Sequence, residues 1–162
     1  MTKDCDNESK YARWMDAAIE EALIAQDEGD VPIGAVVANA DGEIIAAAHN
    51  RRIIDADPTA HAEMLAICAA ANAIGDWRLG GCTMVVTLEP CCMCAGAIIL
   101  ARMDRVVYGA TDPKAGAVDT LYQLCNDPRL NHRCEIVAGV NAAVCGQLLT
   151  DFFRAQRAAG KK

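Results

Sequence analysis

At 162 residues the chain suits one domain with a core that buries roughly 70% of the unfolded surface, and it is too short for two ordinary domains. Apolar residues make up 53% of it but never run for the roughly 18 positions a membrane span requires, and the polar start Met1–Lys10, with Asp4, Asp6 and Glu8, is no secretory signal. The net charge of −7 argues against broad, non-specific nucleic-acid binding, which rests on many basic contacts.

Residues 1–10 are expected to be disordered. Trp14, Ala17, Ala18, Ala22 and Ala25 share one helical side and predict a helix from Tyr11 to Glu28, ended by Gly29-Asp30. The short apolar runs Ile33–Ala38 and Ile44–Ala48 flank Asn39-Ala40-Asp41-Gly42, an Asp-Gly signal for an antiparallel hairpin. An alanine-rich helix follows over His61–Ala73 and closes at Gly75. Next come a buried strand at Met84–Thr87, a helix over Cys91–Ala101 and a strand over Arg105–Ala110. Thr111–Leu130 is irregular, and long loops on a compact scaffold tend to be functional. Glu135–Ala138 reads as a fifth strand and Ala142–Ala159 as a terminal helix. Strands alternating with helices predict an α/β fold with parallel pairing and a sheet covered on both faces.

The chemistry centres on Pro90-Cys91-Cys92-Met93-Cys94, where two thiols stand three positions apart at the junction of a strand and a helix. A lone Cys-x-x-Cys is compatible with half of a structural zinc site, a redox pair or two buried small hydrophobes. His61-Ala62-Glu63, thirty residues upstream of Cys91, changes the balance: His-x-Glu followed by Pro-Cys-x-x-Cys matches the signature of the zinc deaminases. His61, Cys91 and Cys94 supply three ligands, and no second Cys-x-x-Cys offers a fourth, so one coordination position is left for water, as in catalytic zinc sites. Pro90 and the pair Pro58-Thr59 place both ligand groups near helix starts, Thr59 as a capping residue, where the dipole favours thiolate. Glu63 is the expected proton shuttle; the bland alternative is an acidic residue placed in a first helical turn by the dipole. His49 and His132 have no ligand spacing.

Nine cysteines form an odd set without disulfide spacing, and in the cytoplasm expected for this chain they stay reduced. Cys68, Cys82, Cys92, Cys125, Cys134 and Cys145 are expected to be small buried hydrophobes. Charge is uneven: residues 1–99 carry 6 Lys/Arg against 16 Asp/Glu, residues 100–162 carry 9 against 6. A local basic track is therefore open to Arg51, Arg52, Lys114, Arg129, His132, Arg133, Arg154, Arg157, Lys161 and Lys162, each of which alone is an ordinary surface charge.

Asp30-Val31-Pro32-Ile33-Gly34-Ala35-Val36, His49-Asn50-Arg51, Asp57 to Glu63, Thr87 to Cys91, Met93 to Ala97, Asn131-His132-Arg133 and Asp151-Phe152-Phe153-Arg154 together resemble the bacterial tRNA-specific adenosine deaminases, over about Tyr11 to Arg157. The resemblance implies a three-layer α/β/α sandwich around a five-stranded mixed sheet, spanning 1–162 as one zinc-dependent deaminase domain. It implies one Zn2+ per subunit, a homodimer, and conversion of adenosine to inosine in a tRNA anticodon loop, with water activated on zinc attacking adenine C6 and Glu63 carrying protons. Asn50, Asp112, Lys114, Arg133, Phe153 and Arg154 fall on positions the family uses towards the RNA. One of the neighbours Phe152 and Phe153 is expected to pack into the core, since adjacent helical positions face different ways. Neither a membrane nor DNA is an expected partner. Two other readings stand beside this one: a deaminase of a free base or nucleoside, which has no need of Lys114, Arg133 or Arg154, and a non-catalytic zinc-stabilised subunit, which has no need of Glu63.

Overall fold

The computed structural model describes residues 2–161, with side chains from Glu8 to Lys161. Its elements are helix α1 (Thr2–Asp27), strands β1 (Gly34–Ala38) and β2 (Ile44–His49), helix α2 (Ala62–Ile74), strand β3 (Thr83–Leu88), helix α3 (Cys92–Leu100), strand β4 (Arg105–Ala110), a 3-10 turn (Leu124–Asn126), strand β5 (Glu135–Ala138) and helix α4 (Ala142–Ala158). The sheet order is β2-β1-β3-β4-β5. β1 runs antiparallel to both neighbours, while β3, β4 and β5 are mutually parallel.

Alternation along the strands builds the layers. Val36, Val85 and Val107 meet Tyr11, Trp14, Met15 and Ala18 of α1 and Cys145 of α4 on one side. Ala35, Val37, Met84, Val86, Val106 and Tyr108 meet Ala62, Ala66 and Ala70 of α2 and Ala95, Ile98 and Ile99 of α3 on the other. The result is the expected α/β/α sandwich around a five-stranded mixed sheet. Gly34 sets the spacing on the α1 side: a Cβ there would run into the Ala18 carbonyl and the Ala22 amide.

The hairpin closes as its sequence predicts, with Gly42 at φ 87° and Asn39 Oδ1 accepting from the amides of Asp41 and Glu43. Trp14 Nε1 donates to the Gly42 carbonyl at 3.2 Å, tying α1 to this turn.

Three features differ from the sequence reading. Residues 2–10 extend the helix read from Tyr11: α1 begins at Thr2. Acidic residues near a helix start are favoured by the dipole, and Asp4, Asp6 and Glu8 fall there in sequence. The antiparallel β1–β3 pair departs from the parallel pairing read from alternation, because β2 takes the edge and β1 is left between β2 and β3. Finally, Cys82, Cys125, Cys134 and Cys145 are buried but Cys68 and Cys92 are exposed. Cys68 lies on the face of α2 opposite Ala62, Ala66 and Ala70, and Cys92 opens α3 towards solvent. The Cys5 side chain lies outside the described residues.

Among the described residues, no helix is long and apolar enough to cross a membrane.

Candidate active site

The site forms at the carboxyl ends of the parallel strands β3 and β4, where open α/β sheets leave a crevice. β3 delivers Leu88-Glu89-Pro90-Cys91, and β4 delivers Thr111-Asp112-Pro113-Lys114 beside it, Leu88 pairing with Ala110 at the last register position. The N-termini of α2 and α3 close the floor. His61 is the N-cap of α2 and Cys91 the N-cap of α3, both extended in backbone, with Leu65 N–H donating to the His61 carbonyl and Ala95 N–H to the Cys91 carbonyl as the first helical bonds. Thr59 does not cap α2, contrary to expectation. Its amide and hydroxyl both donate to Asp57 Oδ1 at 2.7 Å, which shapes the turn entering His61 instead.

His61 Nδ1 lies 3.6 Å from Cys94 Sγ and 3.7 Å from Cys91 Sγ, and the three ligand atoms all fall within 4.8 Å of one another. Zn–S and Zn–N bonds of about 2.3 and 2.0 Å at the tetrahedral angle require N···S edges of about 3.5 Å, so the triangle fits one zinc ion. Cys94 is fully buried, Cys91 and His61 partly. Hydrogen bonding from Cys94 pulls the Cys91 thiol down to about 3 and makes it the thiolate of the pair, and the same bond pushes Cys94 up. His61 is raised, chiefly by its hydrogen bond with Cys91. A pair of sulfurs sharing one proton beside an imidazole takes up a metal by releasing that proton.

The other two histidines have structural partners: His49 lies between Glu21 and Glu28, at 2.7 and 3.1 Å, and His132 Nε2 meets the Met103 carbonyl at 2.6 Å.

Glu63, in the first turn of α2, is 4% exposed. Burial raises its carboxyl to about 7, with the nearby His61 pulling it back down. In the unfolded chain it titrates near 4.5, so its contribution to the metal-free fold is full below about pH 4.5 and is lost as the pH rises through about 7. Metal-free Glu63→Gln is therefore expected to gain up to about 3 kcal/mol over the metal-free wild type at pH 8 relative to pH 4, read by urea unfolding. Identical pH profiles for the two proteins would show that the carboxyl is not protonated in the folded apo-protein.

These groups open into a cavity of about 650 Å³. His61, Glu63 and Cys91 line its floor, Asn50 one wall, Asp112 and Lys114 the opposite loop, and Phe153 the side formed by α4. Asn50 is 3% exposed and donates through Nδ2 to Asp30 Oδ1 at 2.8 Å. Asp30, fully buried, also accepts from the amides of Val31, Ile53 and Ile54. Asp112 folds back on its own loop: its Oδ1 accepts from the amides of Lys114 and Ala115 at 2.9 and 3.1 Å. Phe152 packs in the core at 8% exposure and Phe153 faces the cavity at 45%, dividing the pair as expected.

Two expected residues lie elsewhere in the subunit. Arg154 turns away from the cavity and pairs with Asp151 at 3.3 Å. The helical repeat gives the cavity face to Leu149, Thr150, Phe153 and Arg157, so Arg157 takes the place expected for Arg154. Arg133 precedes β5, whose first residue pairs with Arg105 at the start of β4, so within the subunit it lies near the amino ends of the parallel strands, the end opposite the cavity. Arg52 lines the cavity too. Arg52 and Arg157 are among the residues the sequence leaves open to a basic track, without a place in the site; a step of four from Phe153 along the helix reaches the second.

Three ligands on two helix starts, a buried carboxylate beside them and a cavity able to admit a nucleoside define a zinc-dependent hydrolase acting on a small ring system. The comparisons narrow this. Residues 8–110 match the model for the cytidine and deoxycytidylate deaminase zinc-binding region, and the chain belongs to that family. It is 52% identical over 144 residues to the tRNA-specific adenosine deaminase of Bacillus subtilis, covering 89% of each chain. To that of Haemophilus influenzae it is 42% identical over 145 residues, 90% of this chain and 84% of the other. A structure solved in a study of A-to-I editing at the wobble position of transfer RNA superposes with a TM-score of 0.81 at 42% identity, covering 85% of this chain and 99% of the other.

Proposed function

We propose that the chain converts adenosine to inosine at the wobble position, position 34, of a tRNA anticodon loop, with an arginine tRNA bearing an ACG anticodon as the expected substrate. The observation that carries the reading is the make-up of one cavity: the deaminating set lies at its floor, and Arg52, Lys114, Phe153 and Arg157 bring cations and an aromatic ring to its walls. An extruded loop nucleotide needs those groups for its flanking phosphates and for stacking. The tRNA-specific relatives agree with it.

The reaction exchanges the amino nitrogen on adenine C6 for a water oxygen and releases ammonia. Zinc, when bound by His61, Cys91 and Cys94, supplies the Lewis acidity that lowers the pKa of water. The rest belongs to the chain. Glu63, buried beside the ligand triangle, accepts the proton of the attacking water, then hands protons to the ring nitrogen and the departing amine. Asn50, whose Nδ2 is engaged by Asp30, offers its carbonyl oxygen to the nucleotide. Lys114 meets the RNA backbone, and Phe153 and Arg157 border the loop on the α4 side. The reading extends to a homodimer in the cytoplasm, as the resemblance to the bacterial tRNA-specific deaminases implies.

A free-base deaminase is the less supported alternative: guanine deaminase from Bacillus subtilis superposes at a TM-score of 0.59 and 32% identity over 67% of this chain. The test uses zinc-loaded protein with an ACG anticodon stem-loop, and with free guanine, cytosine and adenosine in parallel. Inosine is expected in the stem-loop and no ammonia from the free compounds. Ammonia from a free base with the RNA untouched would overturn the substrate and keep the zinc chemistry.

A further inference from the structure

Glu89 takes no part in the mechanism above, yet it is 2% exposed and has no cationic partner among the described residues. Its Oε1 accepts from the amides of Val118, Asp119 and Thr120 at 3.2, 2.8 and 2.9 Å, and its Oε2 accepts from the Asp112 amide at 3.0 Å and from the Thr120 hydroxyl. All five donors lie in the loop that follows β4. Five donors converging on one side chain need an acceptor-only group, and an ionised carboxylate is the side chain that provides it.

The loop is otherwise irregular from Thr111 to Gln123. Gly116 lets it approach, since a Cβ there would run into the Glu89 carboxylate. The neighbouring backbone adds two ties: Ala117 N–H donates to the Pro90 carbonyl at 2.9 Å, and Gly116 bridges to Cys91. The segment holding a metal ligand and the segment holding Lys114 are thus joined through the residues just before and at Cys91.

We infer that Glu89 is a positioning residue for the substrate: its carboxylate holds residues 112–120 as one body against the Glu89–Cys91 segment and so sets the place of Lys114 relative to the zinc site. The inference rests on the RNA reading above for what Lys114 meets. A buried charge satisfied by a single loop fixes that loop in one arrangement, because any other leaves the charge unsatisfied. Glu89 therefore governs how tightly RNA is held, and Glu63 the chemistry.

The test compares wild type, Glu89→Gln, Lys114→Ala and the double variant. The amide side chain of Gln turns an NH2 towards N–H donors while keeping size. Glu89→Gln is expected to retain one zinc per chain, to exchange the amides of Asp112, Val118, Asp119 and Thr120 faster without RNA, and to raise KM for the anticodon stem-loop on the order of tenfold to a hundredfold, the scale of a positioning error near 1 Å. kcat stays within a few-fold. In that background Lys114→Ala adds little, because the lysine is already displaced; a merely structural role predicts additive effects. Gly116→Ala, whose Cβ crowds both the Glu89 carboxylate and the Asp112 carbonyl and so displaces the loop without removing the charge, reproduces the KM rise and serves if Glu89→Gln does not fold. Unchanged amide exchange, an unchanged KM, additive losses, or zinc lost together with activity would each overturn the inference. Wild-type protein inert towards the stem-loop would instead overturn the RNA reading, while amide exchange would still decide whether Glu89 holds the loop.

Discussion

Glu63→Ala is expected to leave a folded protein carrying one zinc per chain and to lower kcat on the anticodon stem-loop by about 10³-fold, within the range that a positioned acid–base group contributes. The carboxylate is no ligand in the His61–Cys91–Cys94 triangle, so its loss leaves the metal in place. It sits buried beside that triangle; Glu89 commits both carboxylate oxygens to the loop after β4, and Asp112 stands on the loop across the cavity with its Oδ1 accepting from the Lys114 and Ala115 amides. Zinc analysis and single-turnover inosine formation on the same preparation separate the two effects. Turnover unchanged by the substitution would remove Glu63 from the mechanism.

Cys94→Ala is expected to do the opposite, abolishing zinc binding and activity together. Cys94 is fully buried and supplies one of three protein ligands, so no neighbour within the described residues replaces it. Metal binding to such sites is worth on the order of 10 kcal/mol, part of which stabilises the fold, so the melting temperature falls towards that of the metal-free protein. Cys92→Ala is the control, two positions away and exposed, and it keeps zinc, stability and turnover. Full zinc content in Cys94→Ala would mean that the ligand set is wrong.

The parts of this structure legible in sequence are those written in local pattern. The Asp41-Gly42 turn, the strand at Thr83–Leu88 running into Pro90, and the spacing of His61, Glu63, Cys91 and Cys94 each carry their own chemistry, and the structure brings the three ligands to one place. What was not legible depends on partners far along the chain. Nothing near Gly34 says that β1 will pair with β3 in the antiparallel sense, because the choice lies in where β2 goes. Nothing near Arg133 says that the β4–β5 register sets it, within the subunit, at the end of the strands opposite the cavity. The neighbours of Glu89 in sequence, Leu88 and Pro90, say nothing of its role, because its five donors come from residues 23 to 31 positions later. Thr59 shows the reverse failure, a good capping residue that stands two positions before the actual N-cap, His61, and donates its hydroxyl to Asp57 instead.

The fully buried apolar residues of α2 are Ala62, Ala66 and Ala70. Alanine has no side-chain torsion to freeze, so these three positions seat the helix on the sheet at no cost in rotamer entropy. His61 and Glu63, at the start of the same helix, take their coordinates from backbone laid close against backbone. A ligand and a proton carrier held on such a seam wait for metal and nucleotide already in place, and little ordering remains to be done when either arrives.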